Sequence, residues 1–124
     1  MTSTLRVVIA DDDPDIRGLV AIAVRKAGFD LVGQAVDGPS AWSAVSEAHP
    51  DLVVLDVSMP GMTGLEVAIL IRADESFAGT RIALLSAGVG ESAIQAGVDA
   101  GADHYLTKPF SPRDLATQLQ EIMA

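Results

Sequence analysis

Acidic, hydroxyl and ammonium side chains follow four apolar segments of this chain. Residues 11–13 are three consecutive aspartates, Asp56 and Ser86 each close another segment, and Lys108 comes shortly after a fourth. Crowded carboxylates repel one another, and one of them would take up a proton unless a cation joined them. Because the available ligands are hard oxygens, the pattern favours Mg²⁺, or Mn²⁺ in its place.

A magnesium site of this composition implies a phosphoryl group as its partner. Mg²⁺ usually binds one or two carboxylates, keeps several waters and completes its shell with phosphate oxygens. Lys108 would place positive charge near those oxygens, and the Ser86 hydroxyl would donate a hydrogen bond. One carboxylate could itself be the nucleophile, since aspartyl phosphates are known covalent intermediates. Turn and cap chemistry explains each residue taken alone, so the prediction rests on the joint pattern.

Short apolar runs rich in β-branched residues predict strands that are buried on both faces of a parallel sheet. The clearest runs cover residues 7–10, 52–55 and 81–85, and weaker ones cover residues 31–36 and 104–106. Binding sites in open α/β sheets form beyond the carboxyl ends of the strands. We therefore expect the side chains that follow these runs to meet at one edge of the sheet.

Segments with helical periodicity separate the predicted strands. The first covers residues 14–28, with Asp13 as its cap and Pro14 in its first turn. The second ends at Pro50, and the fifth begins after Ser111. Five strands alternating with five helices predict an α/β domain with a parallel sheet and right-handed crossovers.

The third and fourth helices have less regular patterns. Thr63 and Glu66 match a capping box at the start of the third helix. The spacing predicts that three of its side chains face inward: Leu65, Ala68 and Ile69. The fourth covers residues 91–101 and is interrupted by Gly97, which costs a helix about 1 kcal/mol and invites a structural reason. We expect this helix to be the least stable one.

The composition restricts the classes of function. Eight Lys and Arg stand against 17 Asp and Glu, a formal net charge of −9, which disfavours direct binding to nucleic acid. The 124 residues contain no cysteine, so disulfides and thiolate metal sites are excluded. No apolar run reaches the length of about 18 residues that a membrane span needs. Residues 1–6 lack a basic segment followed by a long apolar one, so we do not expect them to form a signal peptide. We expect one cytoplasmic domain over residues 1–124, without membrane insertion.

Four motifs occur together in residues 8–14, 55–64, 85–87 and 101–110. In order and spacing they resemble the receiver domain of two-component response regulators, and the resemblance covers essentially the whole chain. It implies a flavodoxin-like, doubly wound (βα)5 fold, with a five-stranded parallel sheet of order 2-1-3-4-5. It also implies a signalling switch that catalyses only its own phosphorylation and dephosphorylation, and otherwise no enzyme.

The resemblance implies a role for each matching residue. Asp56 would accept the phosphoryl group from a phosphohistidine on a sensor histidine kinase or a histidine phosphotransfer protein. Asp11, Asp12, Asp56 and the backbone carbonyl of Ser58 would be the metal ligands.

Three further residues have implied roles in signalling. Lys108 would pair with the phosphoryl oxygens and form a cis peptide bond with Pro109. Ser86 would turn towards the phosphoryl group, and Tyr105, the switch aromatic, would move inward as Ser86 shifts. The surface of helix 4, strand 5 and helix 5 would then change and contact an unknown output partner.

Some departures from the family pattern modify this expectation. Ser58 and Gly88 are small residues at positions that tune hydrolysis of the phosphoaspartate, so we expect a phosphorylated state that is not unusually long-lived. Residues 87–107 contain no Lys or Arg, which argues against a dimer built from charge pairs on that face and leaves a monomer or weak dimer. We see no output domain in the chain.

The residues argue against three alternative functions. A protein-interaction module of the same fold would act without phosphorylation, and it predicts the loss of the acidic pair, of Asp56 or of Lys108, all of which are present. A phosphatase resembling the haloacid dehalogenase family would need a second Asp where Ser58 stands. A flavin carrier would need a phosphate-binding loop rich in Ser, Thr and Gly where residues 11–13 are carboxylates.

Overall fold

A computed structural model of the chain describes residues 4–88 and 90–124. In these residues five strands alternate with five α-helices, and a short 3-10 helix, Glu75–Phe77, precedes the fourth strand. The strands and helices are β1 Arg6–Ala10, α1 Pro14–Lys26, β2 Asp30–Ala35, α2 Gly38–Ala48, β3 Leu52–Asp56, α3 Gly64–Ala73, β4 Arg81–Ser86, α4 Glu91–Asp99, β5 His104–Thr107 and α5 Pro112–Met123. None of the described helices is both long and apolar enough to cross a bilayer.

The strands form one parallel sheet in the order β2-β1-β3-β4-β5. This arrangement confirms the predicted fold class and strand order. In the register of the sheet, Asp56 pairs with Leu85 and Ser86 pairs with Thr107. The last residues of β3, β4 and β5 therefore lie along the same edge.

Apolar side chains cover both faces of the sheet. All five residues of β3 are buried, as expected for a central strand of a parallel sheet. On one face, β1 and β3 pack with α1 and α5; on the other they pack with α2 and α3. The rigid centre of the sheet thus carries the strand ends where Asp11 and Asp56 stand.

Local side-chain chemistry fixes the start of three helices as predicted. The side chains of Asp13, Thr63 and Ser111 each accept a hydrogen bond from a backbone N–H in the first turn of α1, α3 and α5. The backbone N–H of Thr63 in turn donates to Glu66 Oε1, which completes the capping box. These caps set where the loops at the carboxyl edge end.

The inward face predicted for α3 is partly wrong. Ile69 is 53% exposed, whereas Val67, Ala68 and Ile71 are buried. Residues 67–71 are apolar at every position, so periodicity does not define one face there. Packing against α2 and the sheet selects the buried residues instead.

A single guanidinium joins three segments at the opposite edge of the sheet. Arg72 at the end of α3 donates hydrogen bonds to the carbonyl of Gly101 at 2.8 Å and that of Thr80 at 2.7 Å. It also pairs with Asp103 at 2.5 Å, whose carboxylate accepts from the backbone of Ile82 at 2.7 Å. Gly101 has a φ of +93° and lies so close to Arg72 that a Cβ would overlap it. The turn after α4 is thereby tied to α3 and to the start of β4.

Candidate functional site

The carboxyl edge of the sheet brings three carboxylates and one ammonium group together. Asp11 follows β1, Asp56 ends β3 and Lys108 follows β5. Lys108 Nζ lies 2.9 Å from Asp56 Oδ1 and 3.3 Å from Asp11 Oδ2. One carboxylate oxygen from each of Asp11, Asp12 and Asp56 lies within 4.8 Å of the other two. The convergence expected from the strand ends is therefore present in the fold.

The two carboxylates beside Lys108 are buried, and one of their oxygens lacks a hydrogen bond. Asp11 is 2% exposed and Asp56 is 4% exposed, whereas Asp12 is open to solvent. Asp11 Oδ1 accepts from the backbone N–H of Asp13 at 3.0 Å. Asp11 Oδ2 has no hydrogen-bond partner in the described part of the chain. Its nearest positive group is Lys108 Nζ at 3.3 Å, which it shares with Asp56. Two buried carboxylates thus stand against one ammonium group, so the site is suited to a further positive partner.

Burial and charge perturb the two groups that face each other. Burial raises the pKa of Asp56, the negative charge of Asp11 raises it further, and the hydrogen bond from Lys108 only partly opposes this rise. Burial lowers the pKa of Lys108, but the bond to Asp56 and the charges of Asp11 and Asp56 outweigh that effect and raise it. Lys108 is therefore held in its charged form, and ionisation of Asp56 is less favourable than that of an exposed aspartate.

The donor set fits a hard divalent cation. The three carboxylates offer oxygen ligands only, and Asp11 Oδ2, which accepts no hydrogen bond in the described part of the chain, belongs to this group. Such ligands suit Mg²⁺ or Mn²⁺. Ser58 lies exposed in the loop that follows β3, and its backbone carbonyl remains a predicted fourth ligand.

Ser86 and Tyr105 contact the same residue, Gly88. The backbone N–H of Gly88 donates to Ser86 Oγ at 3.0 Å, and the Tyr105 hydroxyl donates to the Gly88 carbonyl at 2.9 Å. The backbone N–H of Lys108 donates to the Ser86 carbonyl at 2.8 Å. The peptide bond between Lys108 and Pro109 is cis, as the family resemblance implied.

Sequence reasoning missed Arg17 as part of this region. Its Nη1 donates a hydrogen bond to the backbone carbonyl of Asp11 at 3.0 Å, which ties the end of β1 to α1. Arg17 comes four residues after the cap Asp13. Helical spacing therefore places it one turn above the acidic loop, and that spacing is a signal that could have found it.

Comparison with known proteins agrees with this geometry. The family model of the response regulator receiver domain matches residues 7–120. DNA-binding response regulator MtrA of Mycolicibacterium smegmatis is 38% identical over 121 residues, which are 96% of this chain and 50% of that protein. The phosphate regulon transcriptional regulatory protein PhoB of Pseudomonas aeruginosa is 36% identical over 118 residues, 94% of this chain and 51% of that protein. The chain spans about half the length of these relatives.

Solved structures share the whole fold. Chemotaxis protein CheY4 of Vibrio cholerae matches with a TM-score of 0.89 and 32% identity, covering 97% of this chain and 99% of that one. The receiver domain of the putative response regulator NarL from Mycobacterium tuberculosis matches with a TM-score of 0.90 and 31% identity, covering 97% and 96%. The similarity thus includes the sheet edge where Asp11, Asp56 and Lys108 meet.

Proposed function

The chain belongs to the response regulator receiver domain family, and we propose that it is a phosphorylation-controlled switch whose phosphoryl acceptor is Asp56. One observation carries the proposal. Lys108 Nζ lies within 3.3 Å of both Asp56 and Asp11, two buried carboxylates, and Asp11 Oδ2 has no hydrogen-bond partner among the described residues. The excess of negative charge around one ammonium group supports the binding of a divalent cation, which together with Lys108 would hold the phosphoryl oxygens.

In the proposed reaction, a carboxylate oxygen of Asp56 attacks the phosphorus of a phosphohistidine. The O–P bond forms as the P–N bond breaks, and the released histidine nitrogen takes a proton from water. Lys108 pairs with the phosphoryl oxygens, and the Ser86 hydroxyl donates a hydrogen bond to one of them. Phosphoryl transfer passes through a loose transition state with negative charge on the phosphoryl oxygens. Positioned positive groups that stabilise this charge therefore contribute more to the rate than covalent chemistry does.

Asp11, Asp12, Asp56 and the Ser58 carbonyl are the proposed ligands of Mg²⁺. When bound, the ion supplies positive charge that offsets repulsion between the anionic nucleophile and the anionic donor. Asp11 and Asp56 hold their oxygens on one side of the cluster because they end adjacent strands of the rigid sheet. Arg17 supports this arrangement by binding the backbone carbonyl of Asp11.

The phosphorylated state is proposed to act through Ser86 and Tyr105. A phosphoryl group on Asp56 adds charge close to −2 and gives Ser86 and Lys108 a new partner. Because Ser86 and Tyr105 both bind Gly88, a shift of Ser86 reaches the ring through one residue. The surface of α4, β5 and α5 then changes and contacts an output partner. Water subsequently hydrolyses the phosphoaspartate and returns phosphate and the free carboxylate.

The partners and the setting belong to the same proposal. The donor is a sensor histidine kinase or a histidine phosphotransfer protein, in the cytoplasm. MtrA is named as DNA-binding, and this chain covers half of it, so the identity of the output partner here is open to experiment. The absence of Lys and Arg from residues 87–107 favours a monomer or a weak dimer.

The decisive experiment is incubation with acetyl phosphate and Mg²⁺, followed by intact mass measurement. We expect the wild-type chain to gain one phosphoryl group, and Asp56→Asn to gain none. Asp30→Asn is the matched control, since Asp30 is an exposed aspartate at the start of β2, away from the site. If the wild-type chain gains no mass with Mg²⁺ or Mn²⁺, the proposal fails and an interaction module that acts without phosphorylation is favoured.

Without a bound cation, acid should protonate Asp56 at a higher pH than an ordinary aspartate. Burial and the charge of Asp11 raise the pKa of Asp56 above its usual value of 3.8, so the nucleophilic carboxylate disappears at a higher pH as acid is added. In a metal-free NMR titration, we expect the side-chain carboxyl ¹³C resonance of Asp56, assigned by its absence in Asp56→Asn, to move with a midpoint above pH 3.8. A midpoint at or below that value would show that Asp56 is not perturbed as described.

A further inference from the structure

Gly97 lies in the middle of α4, where a glycine weakens a helix, and its surroundings explain why it is there. A Cβ at this position would lie 2.9 Å from Tyr105 Cδ2 and 3.1 Å from Leu84 Cδ1. Two carbon atoms do not approach as closely as 2.9 Å without repulsion. The ring of Tyr105 therefore packs directly on the bare backbone of α4, and a side chain at position 97 requires the ring to shift.

The opposite end of the same ring is attached to the loop before α4. The Tyr105 hydroxyl donates to the Gly88 carbonyl at 2.9 Å, and the Gly88 N–H donates to Ser86 Oγ at 3.0 Å. Tyr105 is half-buried. The ring thus spans the distance between the Ser86 end of β4 and the middle of α4.

Other attachments of α4 are weak. Its N-cap residue, Gly90, has no side chain with which to cap the helix. Of the nine described residues of α4, Gly97 alone is buried, while Ile94 is 40% exposed and Val98 is 58% exposed. With few buried side chains of its own, the helix depends on its contact with Tyr105.

We propose that the bare backbone at Gly97 is the seat of the Tyr105 ring, and that occupation of this seat sets the position of α4. A side chain at position 97 would expel the ring and disconnect α4 from Ser86. The link to phosphorylation rests on the function proposed above for Asp56. The seat itself does not depend on that function, because it is a contact of the unphosphorylated chain.

A fluorine label on the tyrosine tests the seat directly. The chain contains one Tyr, so 3-fluorotyrosine gives one ¹⁹F resonance, from position 105. We expect Gly97→Ala to shift this resonance and to increase its change between H₂O and D₂O, because the ring becomes exposed. Gly18→Ala is the matched control, since it also adds a methyl group to a helix but has open space around it. A resonance in Gly97→Ala that matches wild type would overturn the proposal.

A double-mutant cycle covers the case in which Gly97→Ala folds poorly. Without the ring, alanine should be the better helix residue, so Gly97→Ala should raise the urea midpoint of a Tyr105→Ala protein. With the ring present, the same substitution should lower the midpoint or raise it less. Equal shifts in both backgrounds would show that the ring and position 97 do not compete, and the seat would be refuted.

Hydrogen exchange after phosphorylation separates the seat from the switch. We expect Gly97→Ala to take up the phosphoryl group within about twofold of the wild-type rate, since it lies outside the Asp56 site. Phosphorylation should change amide exchange in α4 of wild type and Gly18→Ala, and at least several-fold less in Gly97→Ala. An equal change in all three would refute control of α4 by the seat. A wild type that takes up no phosphoryl group would refute the proposed function instead, and the two preceding measurements still decide the seat.

Discussion

Helices α1 and α4 each contain an internal glycine, but the surroundings of the two glycines are opposite. Gly18 in α1 has open space beside it, in a helix whose Val20 and Val24 are buried against the sheet. Gly97 in α4 is crowded by Tyr105, in a helix that buries no side chain of comparable size. The difference shows that α1 is held by its own side chains, whereas α4 is held by a ring that belongs to β5. We therefore expect α1 to keep its position on the sheet and α4 to move when the position of the Tyr105 ring changes.

The largest expected contrast comes from removing one apolar side chain from the cluster shared by α1 and α5, and one from α4. Leu119 of α5 is fully buried in the cluster that also contains the buried residues of α1. Leu119→Ala should lower the free energy of unfolding by about 2–5 kcal/mol. Ile94→Ala, on the exposed side of α4, should change it by no more than about 0.5 kcal/mol. Urea unfolding followed by circular dichroism measures both, and losses of similar size would break the contrast.

Magnesium should stabilise the acidic loop before α1 more than it stabilises α4. At a concentration one hundred times Kd, a ligand that binds only the folded state adds about 2.7 kcal/mol. We expect Mg²⁺ to raise the urea midpoint of wild type, and to raise that of Asp56→Asn less. Amide exchange should slow in the loop that carries Asp11 and Asp12, with little change in α4. Protection confined to α4 would contradict the placement of the ion.

The helix caps should show the contrast on a smaller scale. Asp13 accepts hydrogen bonds from two backbone N–H groups of α1, so Asp13→Ala should cost about 1 kcal/mol. Asp13→Asn keeps an accepting oxygen and should cost less. At the start of α4, Gly90→Asp should gain only a few tenths of a kcal/mol. Thermal unfolding measures the stability of the three variants. An Asp13→Ala protein as stable as wild type would show that α1 does not need the Asp13 cap.

The smallest expected effect concerns the glycine with open space. Gly18→Ala should stabilise the chain by about 0.5–1 kcal/mol, because alanine loses less backbone freedom and nothing obstructs its methyl group. Chemical unfolding provides the measurement. A destabilised Gly18→Ala protein would mean that Gly18, like Gly97, has a neighbour that excludes a side chain.

Short-range chemistry is what made most of the fold predictable. The apolar run at 52–55 forms a strand, and Thr63 with Glu66 forms the predicted capping box. The strand order came from the family resemblance, because local patterns do not specify which strands are neighbours. The buried face of α3 was not predictable, since residues 67–71 are apolar throughout and tertiary packing chose between them.

The site was predictable to the extent that it depends on strand ends. Asp11, Asp56 and Lys108 follow strands, and parallel strands bring their carboxyl ends to one edge. The contacts of Arg17 and Tyr105 with backbone carbonyls were not predicted, because any residue supplies a carbonyl and the chain sequence does not mark which one is used. Gly97 was recognised as needing a reason, and the reason required the position of a ring eight residues further on.

The bonds that Arg72 makes at the far edge of the sheet have a mechanical consequence for α4. Its guanidinium holds the Gly101 carbonyl and the Asp103 carboxylate, immediately beyond the end of that helix. The carboxyl end of α4 is therefore held by the guanidinium of Arg72, while its amino end, near Gly90, is connected to the sheet through Gly88, which contacts Ser86 and Tyr105. We expect any swing of α4 to be widest at the end beside Ser86, where a small displacement is converted into a change of tilt along the whole helix.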